Sequence, residues 1–129
     1  MRGCPFYFGP AEAPLFGWHH AGKEGSRRDT AIVLCPPLGF DYICSYRSWR
    51  LLAQRLVAAG FDVLRFDYPA TGDSGGHPDD PGQVAGWLAS IRHAATEIRA
   101  RSGAKRVALV GLRLGATLAA TAAATIEGV

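Results

Sequence analysis

The sequence lacks most of the features that announce a function directly. Among its 129 residues are only three cysteines, Cys4, Cys35 and Cys44, an odd number with no Cys-x-x-Cys pair. Neither a disulfide framework nor a zinc site is expected from them, and the pattern suits a reducing, cytoplasmic setting. No secretory signal is read at the N-terminus, where no basic stretch leads into an apolar run. The longest apolar segment, Leu114 to Ile126, is too short and too rich in alanine and threonine to span a bilayer. Charge of one sign is also scarce. The net charge is +3, and Arg27, Arg28, Arg47, Arg50, Arg99, Arg101, Lys105 and Arg106 are scattered rather than clustered. Such residues read as solvated helix faces, so no nucleic-acid partner is expected. His19 and His20 are adjacent, which on a strand sends them to opposite faces, so no metal site and no cofactor are expected there.

What is present is a globular composition, 48% apolar and 19% charged, of a length that suits one small domain or part of a larger one. Pro5 to Gly9 and Leu15 to His20 are short aromatic-rich runs joined by Pro10-Ala11-Glu12-Ala13-Pro14, which predicts an antiparallel hairpin. Thr30 to Cys35 is a continuous β-branched apolar run, the pattern of a strand buried on both faces of a parallel sheet. It stops at Pro36-Pro37-Leu38-Gly39-Phe40. From Ser48, Trp49, Leu52, Ala53, Leu56 and Val57 recur at helical spacing, with Ser45 or Ser48 to cap the start and Gly60 as the left-handed residue past the end. Phe61 to Tyr68 reads as the next strand. After a turn rich in glycine and aspartate, Asp80-Pro81 predicts the start of a second helix. Its buried face is Val84, Trp87, Leu88, Ile91, Ala95 and Ile98, and Gly103 ends it. A strand Arg106 to Val110 and a helix Leu114 to Glu127 complete the chain.

Hairpin, then strands alternating with helices, predicts an α/β fold: a mostly parallel sheet with helices on both faces. Sheets of this kind place ligands at the carboxyl ends of their strands. Three loops converge there, Pro36 to Phe40, Asp67 to Gly76 and Gly111 to Gly115. In the last, an apolar strand runs through Gly111-Leu112-Arg113-Leu114-Gly115 directly into an alanine-rich helix. Small residues flank a single position on a sharp strand-to-helix turn, the geometry of a nucleophile elbow. Arginine occupies that position. A guanidinium stays protonated and cannot attack, but it donates up to five hydrogen bonds in a fixed fork. It suits either an ion pair with a neighbouring carboxylate, Asp41, Asp67 or Asp73, or the holding of an anionic ligand. The glycine spacing is not that of a phosphate cradle, which argues against a nucleotide site.

The opening hairpin, Cys35-Pro36-Pro37-Leu38-Gly39, Asp67-Tyr68-Pro69-Ala70-Thr71-Gly72-Asp73-Ser74 and Gly111-Leu112-Arg113-Leu114-Gly115 together resemble the α/β-hydrolase superfamily. The likeness runs over essentially the whole chain, as the N-terminal part of that fold. Within the superfamily the chain looks most like the hydrolase-like proteins of exosortase gene clusters, and more loosely like the serine aminopeptidase and acylglycerol lipase branch. The resemblance implies an acyl (ester, thioester or amide) hydrolase scaffold whose oxyanion hole uses the backbone N–H groups of Leu38 and Leu114. It implies that Ser74 is a loop hydroxyl and not a nucleophile.

It also places the acid and the histidine of a catalytic triad after the nucleophile, and sixteen residues follow Arg113. The expectation is therefore a single incomplete domain over residues 1–129, without the C-terminal strands and helices and inactive in acyl transfer. The strand Arg106 to Val110 would be an unprotected edge, and the chain an oligomer or one half of a larger unit. The alternative is a non-catalytic binding or assembly domain in which Arg113 holds an anionic group of a small molecule. His77, in a rim loop, is the one histidine placed to belong to a site. Cys35 and Cys44 read as inert rather than as substitute nucleophiles.

Overall fold

A computed structural model describes residues 2–129 and shows five strands and three helices among them. β1 (Cys4–Phe8) and β2 (Leu15–His20) form the predicted hairpin, with Phe8 opposite Leu15. β3 (Thr30–Cys35), β4 (Asp62–Phe66) and β5 (Arg106–Gly111) are parallel to one another, and β2 joins β4 antiparallel. The sheet order is β1-β2-β4-β3-β5. Placing β3 between β4 and β5 explains its sequence. Ala31, Val33, Leu34 and Cys35 are fully buried because helices cover both faces of that central strand.

The two faces have separate cores. α1 (Phe40–Ala58) lies on one, where Trp49 and Ala53 pack on Ile32, Leu34 and Val63. α2 (Gln83–Ser102) and α3 (Leu114–Ala123) lie on the other, where Ile91, Ala94, Ile98, Leu118 and Ala122 meet Val33, Leu64 and Phe66. Mixed α/β architecture with helices on both faces is as expected. β5 is the edge of this sheet, and Ala108, Leu109 and Val110 are only half-buried there. The Val107 N–H on that edge donates to the Gly128 carbonyl at 3.0 Å.

Three boundaries differ from expectation. α1 begins at Phe40, two turns before Ser48, with Gly39 (φ 64°) ahead of it and no side-chain cap. Phe40 and Ile43 on its first turn are about three-quarters exposed, so no buried stripe marks those turns in the sequence. Ser45 is no cap either, since its hydroxyl donates to the Asp41 carbonyl within the helix. α2 begins at Gln83 instead of Pro81 because Gly82 adopts φ 73°, which closes a turn before the helix can start. Asp80 accepts from the His77 N–H instead, and Val84 is exposed where a buried position was expected. α3 stops at Ala123, with a separate turn closed by Thr125 N–H to the Ala122 carbonyl, short of the expected Glu127. The helix ends at Ala58 and Ser102 follow the reading. Gly60 (φ 95°) and Gly103 (φ 70°) supply the left-handed residues there.

Candidate functional site

The carboxyl ends of β3, β4 and β5 carry the three rim loops, and the junction of β5 with α3 is the tightest. A Cβ built on Gly111 would overlap the backbone of Ala116, and one on Gly115 would overlap the carbonyls of Cys35 and Pro36. Helix and strand can approach this closely only because both positions lack side chains. Between them Arg113 sits at φ 54°, ψ −120°, one of two non-glycine residues with positive φ among those described. The strained turn predicted from the motif is thus present, with the Gly115 N–H donating to the Leu112 carbonyl and the Ala116 N–H to that of Arg113.

The Arg113 side chain lies across the rim onto α1, where its Nε forms an ion pair with Asp41 Oδ2 at 2.8 Å. Of the three carboxylates expected as partners, only Asp41 is engaged. The pair is open to solvent, with the side chains 68% and 46% exposed, so it contributes little to stability. Strain of this kind costs on the order of 1–3 kcal/mol. Arg113→Gly is therefore expected to raise the melting temperature by a few degrees, measured by calorimetry, with the small loss of the ion pair outweighed by relief of the backbone.

Leu38 and Leu114 lie at the two positions the resemblance marks for oxyanion donors. Among the described residues, neither backbone N–H donates to a loop, turn or side-chain acceptor. Leu38 packs half-buried against the α2 side of the core, and Leu114 is 43% exposed.

Asp67 is bound into its own loop. Tyr42 Oη donates to its Oδ1 at 3.2 Å and the Asp73 N–H to its Oδ2 at 3.0 Å. Burial raises its pKa, outweighing those two donors. A Cβ on Gly72 (φ 49°) would overlap the same carboxylate. Ser74 donates to the Asp67 carbonyl at 2.7 Å and accepts from the Phe16 N–H at 2.9 Å, so it is a structural hydroxyl, as read from the sequence. Burial pushes the Cys35 thiol up to about 12, which leaves no thiolate to attack. Cys44 is exposed on α1. His77 is outside the elbow too. Its ring faces Asp79 at 3.6 Å in an exposed pair, and its N–H is tied to Asp80.

Two groups of polar residues were not visible in the sequence because tertiary pairing assembles them. Asp62, 2% exposed, accepts from Arg27 Nε (3.1 Å), Arg27 Nη2 (2.6 Å) and His19 Nε2 (2.9 Å). His20, on the other face, accepts at Nε2 from Arg65 Nε at 3.1 Å. Desolvation, then the charges of Arg65, His19 and Arg50, lower the His20 pKa to about 4. The folded chain therefore keeps a neutral ring where the unfolded chain protonates near 6.5. Stability is unaffected above that pH and falls as pH drops from about 6.5 to about 4, by on the order of 2–3 kcal/mol. Urea titrations at pH 7 and pH 4.5 check this, with a pH-independent difference between the parent and His20→Gln as the contrary result. No group of three or more His, Cys, Asp or Glu side chains among the described residues is arranged to hold a metal ion, and no described helix is long and apolar enough to cross a membrane.

Comparison with known proteins agrees with this fold. The sequence model described as the alpha/beta hydrolase family matches residues 32–129. An α/β serine hydrolase without lid from Xanthomonas campestris superposes with TM-score 0.81 at 21% identity, covering 98% of this chain and 57% of its own. A Pyrococcus furiosus esterase gives 0.77 at 20%, covering 99% and 46%. An alpha-beta serine hydrolase homologue from Coxiella burnetii gives 0.76 at 18%, covering 98% and 60%. The chain thus spans about half the length of these structures. No curated protein matches it.

Proposed function

Because the chain belongs to the alpha/beta hydrolase family, we propose that it is an acyl-hydrolase scaffold in which the attacking group has been replaced and acyl transfer abandoned. The observation that carries this reading is Arg113 itself. It occupies the strained turn between Gly111 and Gly115, and its side chain is turned onto Asp41. A permanent cation supplies neither the lone pair nor the removable proton that nucleophilic catalysis needs.

The rest of the rim is consistent with an inherited acyl site. The Leu38 and Leu114 N–H groups are free to face a developing oxyanion. Phe40 and Ile43, beside Asp41, and Leu114, beside Arg113, leave apolar surface exposed where an acyl group would lie. Within the family, the loops Cys35–Gly39 and Asp67–Ser74 support a place beside the hydrolase-like proteins of exosortase gene clusters.

Nitrophenyl acetate hydrolysis tests the proposal. The parent chain is expected to show no turnover above the uncatalysed rate, and such turnover would overturn it. Release of nitrophenolate by Arg113→Ser, at least tenfold above the parent, would show that the oxyanion donors remain aligned around a missing nucleophile.

A second reading has its own support. Among the described residues Arg113 meets only Asp41, through Nε, and the pair is exposed, so an incoming carboxylate can exchange with Asp41 at small cost. The domain would then hold an anionic ligand at the rim rather than hydrolyse one. Asp41→Asn is expected to tighten acetate or phosphate binding several-fold under that reading, and to leave it unchanged if the ion pair is purely structural.

A further inference from the structure

On the α1 face of the sheet, away from Arg113, a cavity of about 280 Å³ opens between α1 and the hairpin side. Trp18 and His20 of β2 and Arg65 of β4 form its floor, Tyr46 and Arg50 of α1 one wall, and Gly3 its end. Trp18 is the direct cross-strand partner of Arg65, and His20 lies two residues further along the same face. Two guanidinium groups therefore meet in a lining that contains no carboxylate. Arg65 spends only its Nε, on His20, and its remaining N–H groups have no acceptor among the described residues. Asp67 is in the adjoining groove with its oxygens taken by Tyr42 and the Asp73 N–H.

His20 supplies the second, independent observation. Its Nε2 accepts from Arg65, so the neutral ring carries its proton on Nδ1. That nitrogen has no partner among the described residues, although the residue is only 2% exposed. A buried donor without an acceptor is costly and calls for an explanation. The Nδ1 edge faces Gly3, where a Cβ would come within 2.6 Å of it. Gly3 and His20 both line the cavity, and a residue 3 without a side chain leaves the least bulk against that edge of the ring.

We propose that this cavity binds the oxyanion group of a small molecule, a carboxylate or a phosphate, whose ring or apolar portion rests against Trp18 and Tyr46. Arg65 and Arg50 hold the anion from two sides, and His20 Nδ1–H donates the third contact. Guanidinium forks match the planar geometry of such groups, and the indole and phenol faces accept an aromatic body. The site is independent of the elbow and of its chemistry.

Titration calorimetry and imidazole ¹⁵N–¹H spectra of the chain, with benzoate, phenyl phosphate and the neutral analogue benzamide, test this. Benzoate or phenyl phosphate is expected to bind one to one and benzamide not to bind, with the choice between the two anions identifying the headgroup. The His20 Nδ1–H signal should move with the same midpoint. Arg50→Ala, at an exposed position on α1 that leaves the fold intact, should weaken binding roughly tenfold or more. Gly3→Ala should weaken it as well by filling the approach to Nδ1, while Arg113→Ser leaves it unchanged. The proposal is overturned if neither anion binds, if binding survives both Arg50→Ala and Gly3→Ala, or if Arg113→Ser abolishes it, which would put the anion at the rim.

Discussion

Replacing Asp62 with alanine is expected to destabilise the chain by about 1–3 kcal/mol, the cost of removing a buried acceptor from its donors. Asp62 opens β4 with its carboxylate 3% exposed, and it accepts three N–H donors. They come from two other segments, Arg27 in the loop before β3 and His19 on β2. The group thus ties the antiparallel hairpin to the parallel half of the sheet. Without it, the mostly buried His19 and the half-exposed Arg27 both lose their acceptor. Total stabilities of 5–15 kcal/mol leave little margin for such a loss. Urea unfolding followed by circular dichroism measures it. The double variant Arg27→Ala with Asp62→Ala should recover part of the cost, because the stranded guanidinium is then gone. A single variant within 1 kcal/mol of the parent would show that the network is dispensable.

A second large effect is expected at the elbow, where Gly115→Ala should cost about 3 kcal/mol, at the upper end of overpacking changes. The added Cβ meets the carbonyls of Cys35 and Pro36, which are backbone and cannot swing aside as a flexible side chain would. Relief requires α3 to move off the end of β3, opening the core where Leu118 and Ala119 pack. Two measurements separate a local from a global response. Calorimetry gives the loss of stability, and amide exchange shows whether opening is confined to α3 and the Cys35–Gly39 loop. An unchanged melting temperature would mean that the helix and strand are not in close contact.

Much of the fold was legible because it is written in local patterns. The unbroken apolar run Thr30 to Cys35 can only be a strand covered on both faces, and it stands between β4 and β5. Glycines at 60 and 103 mark helix ends, since the left-handed conformation there favours them. The start of α1 was illegible for the opposite reason. Its first turn carries Phe40 and Ile43 in solvent, so no periodic buried stripe begins until Trp49. At α2, Asp80-Pro81 is a sound local start signal that Gly82 overrides by turning the chain left-handed.

At the candidate site, the sequence by itself determined the elbow: glycines at 111 and 115 around a single position, after a strand and before a helix. It also put at that position an arginine, whose charge does not depend on its surroundings. Tertiary structure decided everything that depends on partners. It chose Asp41 over Asp67 and Asp73 for Arg113, bringing together residues 72 positions apart. It buried Asp62 among Arg27 and His19, and it set His20 against Arg65 with one nitrogen left over. The physical reason is one of range. Backbone conformation and protonation of an arginine are fixed by the residue and its neighbours in sequence. Hydrogen-bond partners and desolvation are fixed by what the sheet order brings alongside.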